Sequence, residues 1–160
     1  MRLLLDTHVF IWWADQQESL SAIALSALKD DANELLQSVA SVWEMQIKVQ
    51  LGKLKLSMPL RELVLSQVET NGLKILPVEL AHVLVLDTLP FHHKDPFDRL
   101  LIAQSIQEGL TLVSADPEFP AYTVRLQKCV NFHPGLQTQK LLHLIGRQFA
   151  GLIALEGVTL

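Results

Sequence analysis

The chain is poor in the residues that would staple or anchor it. It contains a single cysteine, Cys129. One thiol closes no internal disulfide, and it excludes a zinc site built from several cysteines. A reducing compartment is expected. No apolar run approaches the roughly 20 residues that cross a bilayer. Met1-Arg2-Leu3-Leu4-Leu5 starts like a secretory leader, basic and then apolar, but Asp6 interrupts it. A leader's apolar core needs about 7–15 residues. A soluble, cytoplasmic protein with no membrane partner is therefore expected. Charge is scarce as well: 19% of residues are charged and the formal net charge is −4. Such a chain has no general attraction for nucleic acid, because phosphate neutralisation supplies most of that affinity. There is no internal repeat and no low-complexity segment.

What the chain has in excess is apolar side chains, 49% of its 160 residues. That length suits one domain and buries about two thirds of the surface the unfolded chain exposes. The single notable run of positive charge is Lys48, Lys53, Lys55 and Arg61, between Glu44 and Glu62 with no acid among them. By itself it reads as a solvated helix face and loop.

The order of elements points to an α/β fold. Leu3-Leu4-Leu5 is continuously apolar, as in a strand buried on both faces. Val9 to Ala14 reads as a short aromatic-rich helix. Ser19 or Ser21 can cap a helix running to about Asp31. Asn33 to Val39 reads as a second strand. Ser41-Val42-Trp43-Glu44 has capping-box spacing and opens a helix ending near Leu51, before Gly52. Pro59 suits the first turn of a helix to about Glu69. Leu73 to Val78 reads as a third strand and Glu79 to Leu86 as a short helix. Asp95-Pro96-Phe97-Asp98 is a strong helix start, with Asp95 as N-cap and Pro96 at N1, and Gly109 stops that helix. Leu110 to Val113 and Tyr122 to Leu126 read as the last strands. Alternating strands and helices call for an open, mostly parallel sheet covered on both faces. The segment 127–160 fits this pattern less well; its one regular stretch is about Thr138 to Phe149.

In such sheets ligands collect beyond the carboxyl ends of the strands. Asp6 follows the first strand directly, and Asp116 follows the fourth after Ser114-Ala115. Glu44 and Asp98 lie in the first turns of helices that can start at the same edge. Four clustered carboxylates raise one another's pKa. A divalent cation relieves this, and oxygen donors suit Mg²⁺ or Mn²⁺. Such an ion activates water and stabilises charge on a phosphoryl group, so phosphodiester hydrolysis is the natural chemistry.

Each residue also has a structural reading. Glu44 can close a capping box with Ser41. Asp98 at N3 can complement the helix dipole, worth about 0.3–1 kcal/mol, although Asp95 already caps. Asp116 before Pro117 is a common turn residue. Asp6 abuts a buried strand and needs a partner. Ser114 can position a water or an Asp side chain, or bond the backbone. His8 can line the site or pack. Adjacent His92 and His93 point apart, and a loop role is the better reading of both. Trp12, Trp13 and Trp43 read as core or partner contacts rather than base-stacking platforms.

Leu4-Leu5-Asp6-Thr7-His8, Ser41-Val42-Trp43-Glu44 with Lys48 and Gly52-Lys53-Leu54, His93-Lys94-Asp95-Pro96-Phe97-Asp98-Arg99, and Val113-Ser114-Ala115-Asp116 occur in that order. The pattern closely resembles the PIN-domain family, and within it the VapC-like toxins of toxin–antitoxin pairs. It spans about residues 1–126, and Asp-Pro-Phe-Asp-Arg is its most specific part. The resemblance implies a Rossmann-like three-layer fold with about five mostly parallel strands. It implies an Mg²⁺- or Mn²⁺-dependent endoribonuclease whose acidic site maps onto Asp6, Glu44, Asp98 and Asp116. Metal binding is expected at Asp6, Asp98 and Asp116, with Asp95 and Ser114 in support. An antitoxin that blocks the site is implied, and the excess apolar surface suits this and a homodimer. Lys48, Lys53 and Lys55 become candidates for an RNA-contacting edge. Residues 127–160 depart from the family pattern as an extension of unknown role.

Two other classes compete. A PIN-like module that binds RNA or protein without cutting would be expected had one of the four acids been lost; all four are present. A phosphatase with an Asp nucleophile would need a second Asp two residues after Asp6, where His8 stands.

Overall fold

The computed structural model describes residues 1–129. The expected stretch Thr138 to Phe149, and all of 127–160 beyond Cys129, lie outside the described residues. Five strands form one sheet: β1 (Arg2–Leu5), β2 (Glu34–Ser38), β3 (Lys74–Leu76), β4 (Thr111–Ser114) and β5 (Arg125–Lys128). Their order is β3-β2-β1-β4-β5 and every pairing is parallel. Parallel neighbours require crossovers, and helices supply them: α1 (Thr7–Asp15), α2 (Ala22–Lys29), α3 (Val39–Gln50), α4 (Leu60–Asn71), α5 (Leu80–Val85) and α6 (Pro96–Glu108).

The continuous apolar runs are explained by burial on both sides. Leu3 and Leu5 face a core built with Phe10, Trp12 and Trp13 of α1, Leu28 of α2, Met45 of α3 and Leu63 of α4. Leu4, between them, faces the opposite way into a second core with Leu36, Leu112, Phe119, and Leu101 and Ile102 of α6. Strand side chains alternate, so a run buried throughout is a run covered on both faces. Each fully buried leucine contributes about 1.5–3 kcal/mol. Among the described residues, no helix is long and apolar enough to cross a membrane.

Helix α6 starts and stops as its sequence dictates. Asp95 accepts from Phe97 N and Asp98 N, Pro96 follows, and Gly109 ends the helix at φ 63°. A left-handed residue costs glycine least. Helix α3 differs from expectation. It begins at Val39, and its cap is Ser38, whose hydroxyl accepts from Ala40 N. Ser41 thus lies inside the helix, its Oγ buried without a hydrogen-bond partner among the described residues. The capping box with Glu44 does not form, and Glu44 sits in the second turn. Pro59 is the cap of α4 rather than part of its first turn. β5 begins later than expected, at Arg125, opposite the first residue of β4, Thr111; before it, Tyr122 N and Val124 N are spent in turns, on Phe119 O and Tyr122 O. Cys129 N then donates to Ser114 O at 3.2 Å.

Candidate metal centre at the carboxyl edge of the sheet

Asp6 is the first residue past β1 and the N-cap of α1, its side chain accepting from His8 N. Its other carboxylate oxygen, Oδ2, accepts the Ser114 hydroxyl at 2.6 Å. β1 and β4 are adjacent, which brings Ser114 beside Asp6 across the sheet. The same Ser114 Oγ accepts from Asp116 N at 3.0 Å, and Asp116 Oδ1 accepts from Glu118 N at 2.7 Å. One hydroxyl therefore sets both acids of the central strands.

Glu44 reaches the edge from α3. Thr7 Oγ1 donates to its Oε2 at 2.6 Å, and Lys48 Nζ lies 2.6 Å from its Oε1. Asp98, in the first turn of α6 and buried, enters from a helix on the other face of the sheet.

The charges of these acids act on one another. Burial first, then the negative charges of Asp6, Asp95, Glu44 and Asp116, push the Asp98 carboxyl well above the usual carboxylate range. Burial also raises Asp6, with Glu44 and Asp116 adding to it and His8 and Ser114 opposing. Burial and Glu44 raise Asp95 despite the helix N–H groups it caps. Asp116 goes the other way. Burial alone would raise it, but the His93 hydrogen bond, the Glu118 N–H and the nearby His93 and His8 hold it below its ordinary value. Asp6 after β1, Glu44 of α3 and Asp116 after β4 thus all act on Asp98 of α6 through their charges.

By its place in the sequence His93 reads as a loop residue. The structure instead buries it among the acids, Nε2 lying 3.3 Å from Asp98 Oδ2 and 3.5 Å from Asp116 Oδ2 and Glu118 Oε2. Burial would lower its pKa, but Asp116 foremost, then Glu118 and Asp95, raise it. His92 does point away, standing edge-on to Tyr122 at 5.1 Å. No spacing rule marks His93; its one sequence cue is its position two residues before the Asp95 cap. Lys48 also departs from expectation. At 3% exposure it is an internal partner of Glu44 rather than part of an exposed basic edge, whereas Lys53 is half-buried and Lys55 exposed. Trp12 and Trp13 are core residues, and Trp43 is 62% exposed with its ring edge-on to Phe97 at 5.4 Å.

The donor set fits a divalent cation. Ligand atoms of His93, Asp98 and Asp116 lie within 4.8 Å of one another. Asp98 is raised by burial first and then by its acidic neighbours, and a cation would relieve that repulsion.

The fold and this edge define a Rossmann-like, three-layer α/β domain with an acidic cleft. The PIN domain family matches residues 3–124. Over 119 residues the chain is 33% identical to Ribonuclease VapC22 of Mycobacterium tuberculosis, a match covering 71% of this chain and 86% of that protein. The chain belongs to the PIN-domain family, among its VapC-like members. Its fold is similar to that of VapBC2 from Rickettsia felis bound to a DNA fragment from its promoter, with a TM-score of 0.62 at 18% identity, covering 81% of this chain and 99% of that one. It is similar also to VapBC-1 from nontypeable Haemophilus influenzae, with a TM-score of 0.58 at 17% identity, covering 80% and 98%. At these identities the solved structures speak for the fold.

Proposed function

We propose that the acidic cleft holds Mg²⁺ or Mn²⁺ and hydrolyses internal RNA phosphodiester bonds, as the toxin of a toxin–antitoxin pair. By family and relative the protein is a VapC-like ribonuclease. The observation that carries the metal step is the convergence of the buried Asp98 and of Asp116, whose carboxylate oxygens lie within 4.8 Å of each other and of a His93 ring nitrogen, with the charges of Asp6 and Glu44 also acting on Asp98.

When bound, a divalent cation supplies a more acidic water and stabilises charge on the phosphoryl group. Asp6, Asp98 and Asp116 would hold it. Ser114 orients Asp6 through its hydroxyl and Asp116 through the Asp116 N–H it accepts. Asp95, by capping α6, fixes the helix turn that carries Asp98 into the cleft. Both Glu44 oxygens already have partners, which favours its orienting the attacking water over its binding metal directly. No side chain need form a covalent intermediate.

Lys53 and Lys55 are proposed to meet RNA phosphates, with Lys48 behind them on Glu44. The exposed apolar side chains Trp43, Leu80, Val83 and Leu84 suit a protein partner, an antitoxin or a second copy. A cytoplasmic location fits an RNA substrate. The solved VapBC structures, which are complexes by their names, support the antitoxin.

The test is cleavage of total and transfer RNA by purified, antitoxin-free protein, with Mg²⁺ or Mn²⁺ against excess EDTA, beside Asp98→Asn. Metal-dependent cutting that the variant lacks is expected. A well-folded protein that cuts none of several RNA pools would instead be a catalytically silent RNA- or protein-binding module.

A further inference from the structure

His93 stands where another metal ligand would stand, but its hydrogen bonds give it a different task. Nε2 faces Oδ2 of Asp98 at 3.3 Å, and Oδ2 of Asp116 and Oε2 of the more exposed Glu118 at 3.5 Å. Distance alone would fit a His–Asp–Asp cation site. The other ring nitrogen decides between the two roles. Nδ1 accepts the Asp95 backbone N–H at 3.0 Å. Its lone pair is therefore committed, and the proton of the neutral ring lies on Nε2. A nitrogen that carries a proton has no lone pair for a metal. Moving the proton to Nδ1 would set two N–H groups against each other and leave the Asp95 N–H without its acceptor, at a cost of about 1–3 kcal/mol if buried. The residue is held on further sides as well. His93 N donates to Tyr122 Oη at 2.6 Å, and the ring lies beside Phe119 at 5.7 Å.

We propose that His93 is a positioning residue of the metal centre: its Nε2–H holds the Oδ2 atoms of Asp98 and Asp116, and it leaves the cation to the carboxylates. The inference rests on the metal reading of the cluster given above. Asp98 comes from α6 and Asp116 from the loop after β4, so the two share no local geometry. A single donor between them sets their spacing before any cation arrives. Asp116 is held from both ends, Oδ1 by Glu118 N and Oδ2 by His93. Partners of this kind orient ligands and limit the reorganisation that binding requires. They also bear on metal choice. With the imidazole outside the coordination sphere the donors are oxygen alone, which suits hard cations over nitrogen-preferring transition metals.

The experiment uses the full chain, freed of metal, with Mn²⁺ alone as probe. Affinity is read by EPR titration and the coordination sphere by pulsed EPR. Wild type is expected to bind Mn²⁺ without the ¹⁴N coupling of a directly bonded imidazole. His93→Ala should weaken Mn²⁺ binding by about 10–100-fold, the scale for partners of metal ligands. His93→Gln keeps an amide N–H within reach of the same oxygens and should restore most of the affinity. A directly bonded ¹⁴N coupling in wild type would overturn the inference, and so would unchanged Mn²⁺ affinity in a folded His93→Ala. Wild type that binds no Mn²⁺ would overturn the metal reading and this inference together; binding that is lost in Asp98→Asn keeps the former and leaves the His93 variants to decide the latter.

Discussion

Lys48 places its ammonium 2.6 Å from Glu44 Oε1, one turn along α3, with both side chains inside the protein. Glu before Lys at this spacing is the favourable order on a helix. On a surface the pair would contribute a few tenths of a kcal/mol. Here both charges have left water, and each compensates the other's desolvation. The chain folds back to make this so: Lys53 N and Leu54 N both donate to Lys48 O, which lays the loop after α3 against its last turn.

Lys48→Met should therefore destabilise the protein by about 3–5 kcal/mol, since it strands a buried carboxylate. Adding Glu44→Gln should recover much of that loss. Urea denaturation of the two variants measures both effects. A single variant as stable as wild type would show that Glu44 is not confined by this pair.

Asp6→Asn should cut cleavage by at least the order of 10²-fold, the scale for removing one group that stabilises transition-state charge. The fold should survive, because Asn caps a helix about as well as Asp. Circular dichroism and RNA cleavage on the same sample test this. Retained full activity would remove Asp6 from the metal set.

Stability without metal should depend on pH in a direction the acids dictate. The folded pKa values of Asp6 and Asp98 lie above their unfolded values, so the folded state holds these protons more tightly. Their contribution to stability is full at low pH and is lost as pH rises through the folded values. Asp116 and Glu34 are depressed, and their contributions are lost only as pH falls below the ordinary carboxylate range. In EDTA the melting temperature should thus rise as pH is lowered from neutral toward about 5. Asp98→Asn should raise it at neutral pH, by about 2–4 °C per kcal/mol of repulsion removed. Thermal melts in EDTA across that range check the sign, and Mn²⁺ should flatten the wild-type profile.

Arg99 clamps the segment that delivers His93. Its guanidinium donates to the carbonyls of Pro90, Leu89 and Leu86, at 2.8, 3.1 and 3.4 Å, and lies 4.5 Å from the centre of the Phe91 ring. Arg99→Ala should cost about 2–4 kcal/mol, since buried carbonyls lose a charged donor. Arg99→Lys should recover little, because one ammonium lacks the planar fork that meets three carbonyls. Equilibrium unfolding compares them; full rescue by Lys would show that charge alone suffices.

Much of this was legible in local sequence, and the misses have local causes. Helix α6 was readable because cap, proline, acid and terminal glycine all act within one turn of themselves. The start of α3 was not, because Ser38 and Ser41 are equally good caps by type. The sheet decides between them: β2 stays paired as far as Ser38, opposite Leu76 of β3. The start of β5 is harder to read because, among the described residues, it is an edge strand paired with β4 alone, and it lacks the continuous apolar run of its neighbours.

The sequence by itself determined the α/β alternation, the double burial of β1 and the capping of α6, and it offered the four acids as candidates, since each rests on hydrophobic period, backbone preference or side-chain chemistry. Only the tertiary structure decided that Ser114 binds Asp6 across 108 residues, that Lys48 turns inward onto Glu44, and that His93 enters the acidic cleft. Those contacts join elements distant in the chain, and their geometry follows from how parallel strands and the helices between them pack, which no local pattern records.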